Sequence, residues 1–118
     1  MAENKTIEVR YYGPSSDDFV TYTSKLALTN PGEGSPIEFS VREAHFRISR
    51  NERIVLDLTL DDNIVWNDGE KSIYVFIRNS ELGFIRADTE LSYSWWVVWE
   101  NGTSTTLREG TVTAVRVD

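Results

Sequence analysis

Hydrophobic and polar residues alternate along most of this chain, and the alternation has a period of two. Ile7, Val9 and Tyr11 share one face of residues 5–12, and Val20, Tyr22, Leu26 and Leu28 share one face of 19–29. Residues 53–60 set Ile54, Leu56, Leu58 and Leu60 inward against Val55, Asp57 and Thr59 outward, and 72–78 group Ile73, Val75 and Ile77. In 44–50 the apolar set is Ala44, Phe46 and Ile48. Ile37, Phe39 and Val41 have the opposite parity, which predicts a bend or bulge near 41–43. The strongest run is 90–100, where Leu91, Tyr93, Trp95, Val97 and Trp99 make a continuous inward row. No long stretch keeps a helical rhythm.

Turn chemistry punctuates these strands. Asn30 to Pro36 holds prolines and glycines that no strand uses, and it predicts a surface loop. Asn51-Glu52 reads as a tight connection and Asp68-Gly69 as a turn. Asn101-Gly102 is the strongest hairpin signal, of type I′, where both turn residues take positive φ. Residues 80–88 are irregular with room for a helical turn, and 103–108 and 111–117 form a return strand broken by a bulge at Glu109-Gly110. The expected fold is therefore all-β: an immunoglobulin-like antiparallel β-sandwich of about seven strands, in one domain spanning 1–118. Tyr93 sits where such folds carry a corner tyrosine, and Trp95 where antibody domains have a core cysteine.

Composition narrows the function. The chain of 118 residues has 40% hydrophobic and 26% charged residues, a globular balance that argues against disorder. Its net charge of −7 repels phosphate polyanions, so nucleic acid is not an expected partner. With no cysteine and one histidine, His45, thiol chemistry is excluded and no zinc site or other metal site is expected. By parity His45 points away from the core. The acidic segment Asp61 to Glu70 lacks the ligand spacing of a calcium loop and contains Ile64-Val65-Trp66, so it reads as a polar hairpin. There is no phosphate-cradling glycine loop, nucleophile elbow or paired-carboxylate context. We expect no enzyme, no cofactor, no small-molecule ligand and no membrane span.

The remaining signal lies where alternation fails. Trp96 and Val98 occupy outward positions on the 90–100 strand, as do Tyr74 and Phe76 on 72–78; outward aromatics of this kind mark a partner surface. Arg42, Arg47, Arg50 and Arg53 fall within twelve residues, suited to edge protection or to pairing with an acidic partner. These eight residues are the expected partner contacts.

Several segments carry a family resemblance. Asp18-Phe19-Val20-Thr21-Tyr22 with Leu26-Ala27-Leu28-Thr29, then Ser35-Pro36-Ile37-Glu38-Phe39-Ser40, precede the strand pair Phe46-Arg47-Ile48 and Ile54 to Thr59. Tyr93-Ser94-Trp95, Asn101-Gly102 and Thr106 to Thr113 close the series. Over residues 17–117 this order resembles small immunoglobulin-like bacteriophage and prophage virion proteins, akin to the N-terminal domain of upper baseplate proteins, although this chain is richer in tryptophan. The resemblance implies a structural subunit of a tail, baseplate, fibre junction or capsid surface. Such a subunit is made in the host cytoplasm, resides in the virion, and docks onto other virion proteins or copies of itself. The alternative is a carbohydrate-binding module that stacks sugars on exposed aromatic rings.

Overall fold

A computed structural model of the chain describes residues 3–12, 19–29, 37–83 and 90–117. Among these the chain is almost entirely strand: β1 (Glu3–Asn4), β2 (Ile7–Tyr11), β3 (Val20–Ala27), β4 (Val41–Arg50), β5 (Arg53–Leu60), β6 (Asn63–Asn67), β7 (Ser72–Arg78), β8 (Leu91–Trp99) and β9 (Ser104–Arg116). A short 3₁₀ turn follows β7 at Asn79–Leu82. The strands form one mixed sheet in the order β1-β9-β8-β4-β5-β6-β7-β3, with β2 also on β9. The all-β class is as the sequence predicts. Strand number and direction differ, because β1 and β2 run parallel to β9, β6 is a strand in its own right, and β5 and β6 pair in parallel over two residue pairs.

The sheet curls until it is nearly closed, and the contacts across its interior show how. Tyr22 of β3 meets Phe46 of β4 at 6.2 Å, and Trp66 of β6 meets Trp99 of β8 at 6.5 Å. Arg108 of β9 donates to Ser24 Oγ of β3 at 3.1 Å. The thin β5/β6 junction makes this curl possible: Asp61 and Asn63 both take positive φ, and the chain steps sideways there. Asn63 is buried, and its Nδ2 donates to Phe76 O (3.0 Å) and Glu81 Oε1 (2.6 Å), so the corner leaves no stranded amide.

β8 lies at the centre of the core. Leu91, Tyr93, Trp95, Val97 and Trp99 are all buried, as their parity requires, with Phe46 stacked on Tyr93 at 5.5 Å and edge-on to Trp95 at 5.9 Å. Burial of each aliphatic side chain in this row contributes about 1.5–3 kcal/mol, and the larger aromatic ones contribute more.

Bulges decide where parity fails. The expected irregularity at 41–43 is present: β4 slips against β8 between Val41 and Glu43. A second slip, unforeseen in the sequence, pairs Ser49 with Ile54 but Ile48 with Leu56. The extra residue turns Ile54 outward, 55% exposed, against the inward assignment. A slip between Val20 and Tyr22 exposes Val20 likewise. Phe39 is exposed too, because 37–40 bends rather than pairs. In the return strand, Trp95 opposes Arg108 and Trp96 opposes Thr106, so the bulge falls at Leu107 and β9 runs unbroken through Glu109-Gly110. The loop at 30–36 and most of 80–88 lie outside the described residues.

The turns also redistribute. At Asn101-Gly102 only Gly102 has positive φ, and Gly102 N donates to Trp99 O (2.9 Å) while Trp99 N donates to Thr103 O (2.8 Å). This is a type I turn closed by a glycine bulge. The type I′ pattern of two positive φ values belongs instead to Asn51 (49°) and Glu52 (66°) between β4 and β5. Gly110 has a different purpose. A Cβ there would stand 2.4 Å from Lys5 O, where the chain passes from β1 to β2 against β9. Tyr93, opposite Gly110, donates its hydroxyl to that same carbonyl at 2.6 Å. The tyrosine thus anchors the N-terminal strand; the segment just upstream of β8, where an immunoglobulin-type corner would accept its hydroxyl, lies outside the described residues.

Two substitutions test these backbone assignments. Glu52→Gly is expected to stabilise the fold by about 1 kcal/mol, since a side chain in the left-handed region costs that much and glycine does not. Gly110→Ala is expected to destabilise it by about 1–3 kcal/mol through overpacking against Lys5. Urea denaturation of both variants reads both effects; an unchanged midpoint for Gly110→Ala would show that β1 and β2 yield without cost.

Candidate functional site

Outward positions on β4, β5, β8 and β9 make one wall of the molecule. Along one row, Cα pairing sets Thr59, His45, Trp96 and Thr106 side by side; in the next row come Asp57, Arg47, Ser94 and Glu109. Trp96 does face outward and is half-buried. Its indole is not bare: the His45 ring stacks on it at 4.8 Å with 15° between planes, and the Arg47 guanidinium lies 4.9 Å from the ring centre. Val98 sits beyond it, opposite Glu43 and Ser104.

Two arginines on this wall each face a carboxylate, while Glu109 is exposed beside Ser94. Arg47 Nη2 is 3.4 Å from Asp57 Oδ2, and Arg42 Nη2 is 3.5 Å from Glu43 Oε2. His45 faces the same carboxylates, Nδ1 at 3.8 Å from Asp57 Oδ1 and Nε2 at 4.0 Å from Glu43 Oε1. Both distances exceed hydrogen-bond length. The sequence placed His45 outward correctly but gave no sign of its stack on Trp96, because the neighbour across a sheet is set by register alone.

Tyr74 and Phe76 occupy a second wall. They are half-buried on the outer side of β7, their ring centres 5.9 Å apart, with Val65 of β6 half-exposed opposite Tyr74 and the Arg78 guanidinium 5.0 Å from Phe76. Lys25, paired with Tyr74 from β3, bonds Glu70 at 3.2 Å. Along the sheet β4, β5 and β6 separate this wall from Trp96, so the two outward pairs form two surfaces.

The four arginines do not gather. Arg42 and Arg50 stand at opposite ends of β4, eight residues and roughly 27 Å apart at about 3.4 Å per residue. Arg47 belongs to the Trp96 wall, while Arg50 and Arg53 pair across the Asn51-Glu52 turn. Beside that turn a depression of about 680 Å³ is lined by Ser49, Glu52, Glu90, Ser92, Thr111 and Thr113 among others. Arg108 is the polar residue that strand parity missed. It is buried opposite Trp95, and its bond to Ser24 ties β9 to β3. Burial raises the Tyr22 hydroxyl's pKa above 10.0, with Ser24 and Arg108 acting in the opposite sense.

One end of the molecule is held by a carboxylate. Asp68 Oδ1 accepts from Ser40 Oγ (2.5 Å), Lys71 Nζ (2.9 Å) and Trp66 Nε1 (3.2 Å), joining the β6–β7 loop to the approach of β4. The Ser40 bond first, then Lys71, holds this exposed carboxyl below its ordinary 3.8. Lys25 holds Glu70 below 4.5 in the same way. A carboxyl whose folded pKa is depressed contributes stability that is complete above its unfolded pKa and lost as pH falls through the folded one. Asp68→Asn is therefore expected to lower stability at neutral pH and to flatten the loss below about pH 4. Thermal melts across acid pH check it, and an acid limb as steep as that of the unaltered chain would remove Asp68 from the account.

No family model matches this chain, and no curated protein is detectably similar to it in sequence.

Proposed function

We propose that this chain is a non-catalytic docking subunit of a larger assembly, and that the assembly is a bacteriophage virion. The observation that carries the docking reading is the pair of outward apolar surfaces, Trp96 with Val98 on one wall and Tyr74 with Phe76 on the other. Aromatic side chains at half-exposed positions in the middle of paired strands are costly to leave wet and productive to cover, which is the composition of an interface core. The two pairs lie on strands with three others between them, a spacing that suits a unit contacting two neighbours. The arginines near Trp96 add polar rim contacts. The virion rests on the resemblance of residues 17–117 to small immunoglobulin-like phage proteins; neighbours there would be other virion proteins or further copies of this chain.

A carbohydrate-binding reading has less support. Sugar stacking calls for an open ring platform, and the Trp96 indole already carries His45 and Arg47.

Trp96→Ser tests the proposal. Because Trp96 faces outward, circular dichroism of the isolated variant is expected to match that of the unaltered chain. Incorporation into reconstituted particles is expected to fall by about tenfold or more, the size of an aromatic anchor's loss. Equal incorporation would reject the Trp96 wall as a docking surface.

A further inference from the structure

We propose that this chain has a second, mechanical function: β1 and β2 form with β9 a clamp that bears tension applied along the chain. The function goes beyond docking, since it needs load at both ends of one seam and no particular neighbour.

The seam keeps one register throughout. Glu3 and Asn4 pair with Arg108 and Glu109, and Ile7 to Tyr11 pair with Val112 to Arg116, all in parallel and all at an offset of 105 positions. The stretch between keeps that offset: Thr6 Oγ1 meets Thr111 Oγ1 at 2.9 Å, and Lys5 N donates to Glu109 O at 2.9 Å. At the far end Val117 N donates to Tyr11 O at 2.9 Å. At about 3.3 Å per residue the seam is roughly 30 Å long.

Strand direction decides how the seam meets a pull. Glu3 and Arg108 lie at one end of it, Tyr11 and Arg116 at the other. Tension entering before Glu3 draws β1 and β2 backward along their own axis, and tension leaving after Val117 draws β9 forward along the same axis. The two forces oppose each other across the seam and run parallel to it, so every bridging bond is loaded at once. An antiparallel pair of end strands would open from one end, bond by bond. β9 is itself paired with β8 from Leu91 to Val98, so the load passes into the centre of the sheet.

Three local features resist sliding. Ile7 and Val9 are buried, and shear must drag both out of the core. Tyr93 of β8 donates its hydroxyl to Lys5 O at 2.6 Å, tying the clamp to a strand with which it does not pair. Lys5 O also occupies the place where a side chain on residue 110 would stand, and Gly110 is the one glycine of β9. A backward slip of two residues, the smallest that keeps Ile7 and Val9 facing inward, carries Lys5 onto Arg108. That residue is buried and bonded to Ser24. The Lys5–Gly110 fit therefore acts as a detent.

Force spectroscopy of the whole chain tests the clamp in two attachment geometries. Handles fused to both ends load the seam in shear. An N-terminal handle combined with one on Asn101→Cys, a unique thiol because the chain has no cysteine, peels β1 and β2 from β9, since exposed Asn101 lies in the turn that leads into β9. Forced unfolding follows the barrier crossed and not the equilibrium stability, so one fold is expected to give two forces. At equal loading rate the shear force is expected to be several-fold above the peeling force. Tyr93→Phe, which removes only the bond to Lys5 O, is expected to keep the circular dichroism of the unaltered chain and to lower the shear force. Equal forces in the two geometries, or a shear force that Tyr93→Phe leaves intact, overturn the proposal. Particle incorporation of Trp96→Ser judges docking separately, because Trp96 opposes Thr106, before the seam begins.

Discussion

Everything in this fold depends on β8 being paired along both edges while burying a large side chain at every second position. Its neighbours β4 and β9 hold its register, and Phe46 fills the space between Tyr93 and Trp95. Trp95 shows which effect dominates. Its indole nitrogen is buried without a hydrogen-bond partner, a cost of about 1–3 kcal/mol. Burying an aromatic side chain removes roughly 150–250 Å² from water, worth about 4–6 kcal/mol at ~25 cal/mol per Å². Packing outweighs the orphaned donor. The same central position makes Trp96 conspicuous, because an outward residue on a doubly paired strand has neighbours on both sides and no route into the core.

Parity along single strands was readable from the residues. The inward row of β8, the irregularity near Val41 and the outward placement of His45, Trp96, Tyr74 and Phe76 all follow from counting by two. Parity misplaces a residue where the ladder slips without a local sign of it. Ile54 and Val20 are apolar and in phase with their strands, yet one slip in each ladder turns them to solvent. A slip depends on the partner strand, which local sequence does not display.

Turns taught a similar lesson. Asn-Gly at 101–102 suits type I′, but the β8–β9 register takes a type I turn with a glycine bulge. The tighter type I′ link falls to Asn51-Glu52, which lacks the favoured glycine. Arg108 was hidden for a different reason. A charged residue at an inward position looks like a break in pattern until the strand across the barrel supplies Ser24. The site was legible in the same measure: the outward aromatics could be named individually, but the His45 stack and the separation of the two walls belong to sheet order.

The parallel seating of β2 on β9 joins residues more than a hundred positions apart, Ile7 beside Val112 and Tyr11 beside Arg116. During synthesis the first of these segments leaves the ribosome long before its partner exists. The sheet therefore cannot complete its final pairing until the last strand has emerged, and loop closure over almost the whole chain must precede it. Until then β2 is without its partner strand, a vulnerability that ends only once β9 has emerged.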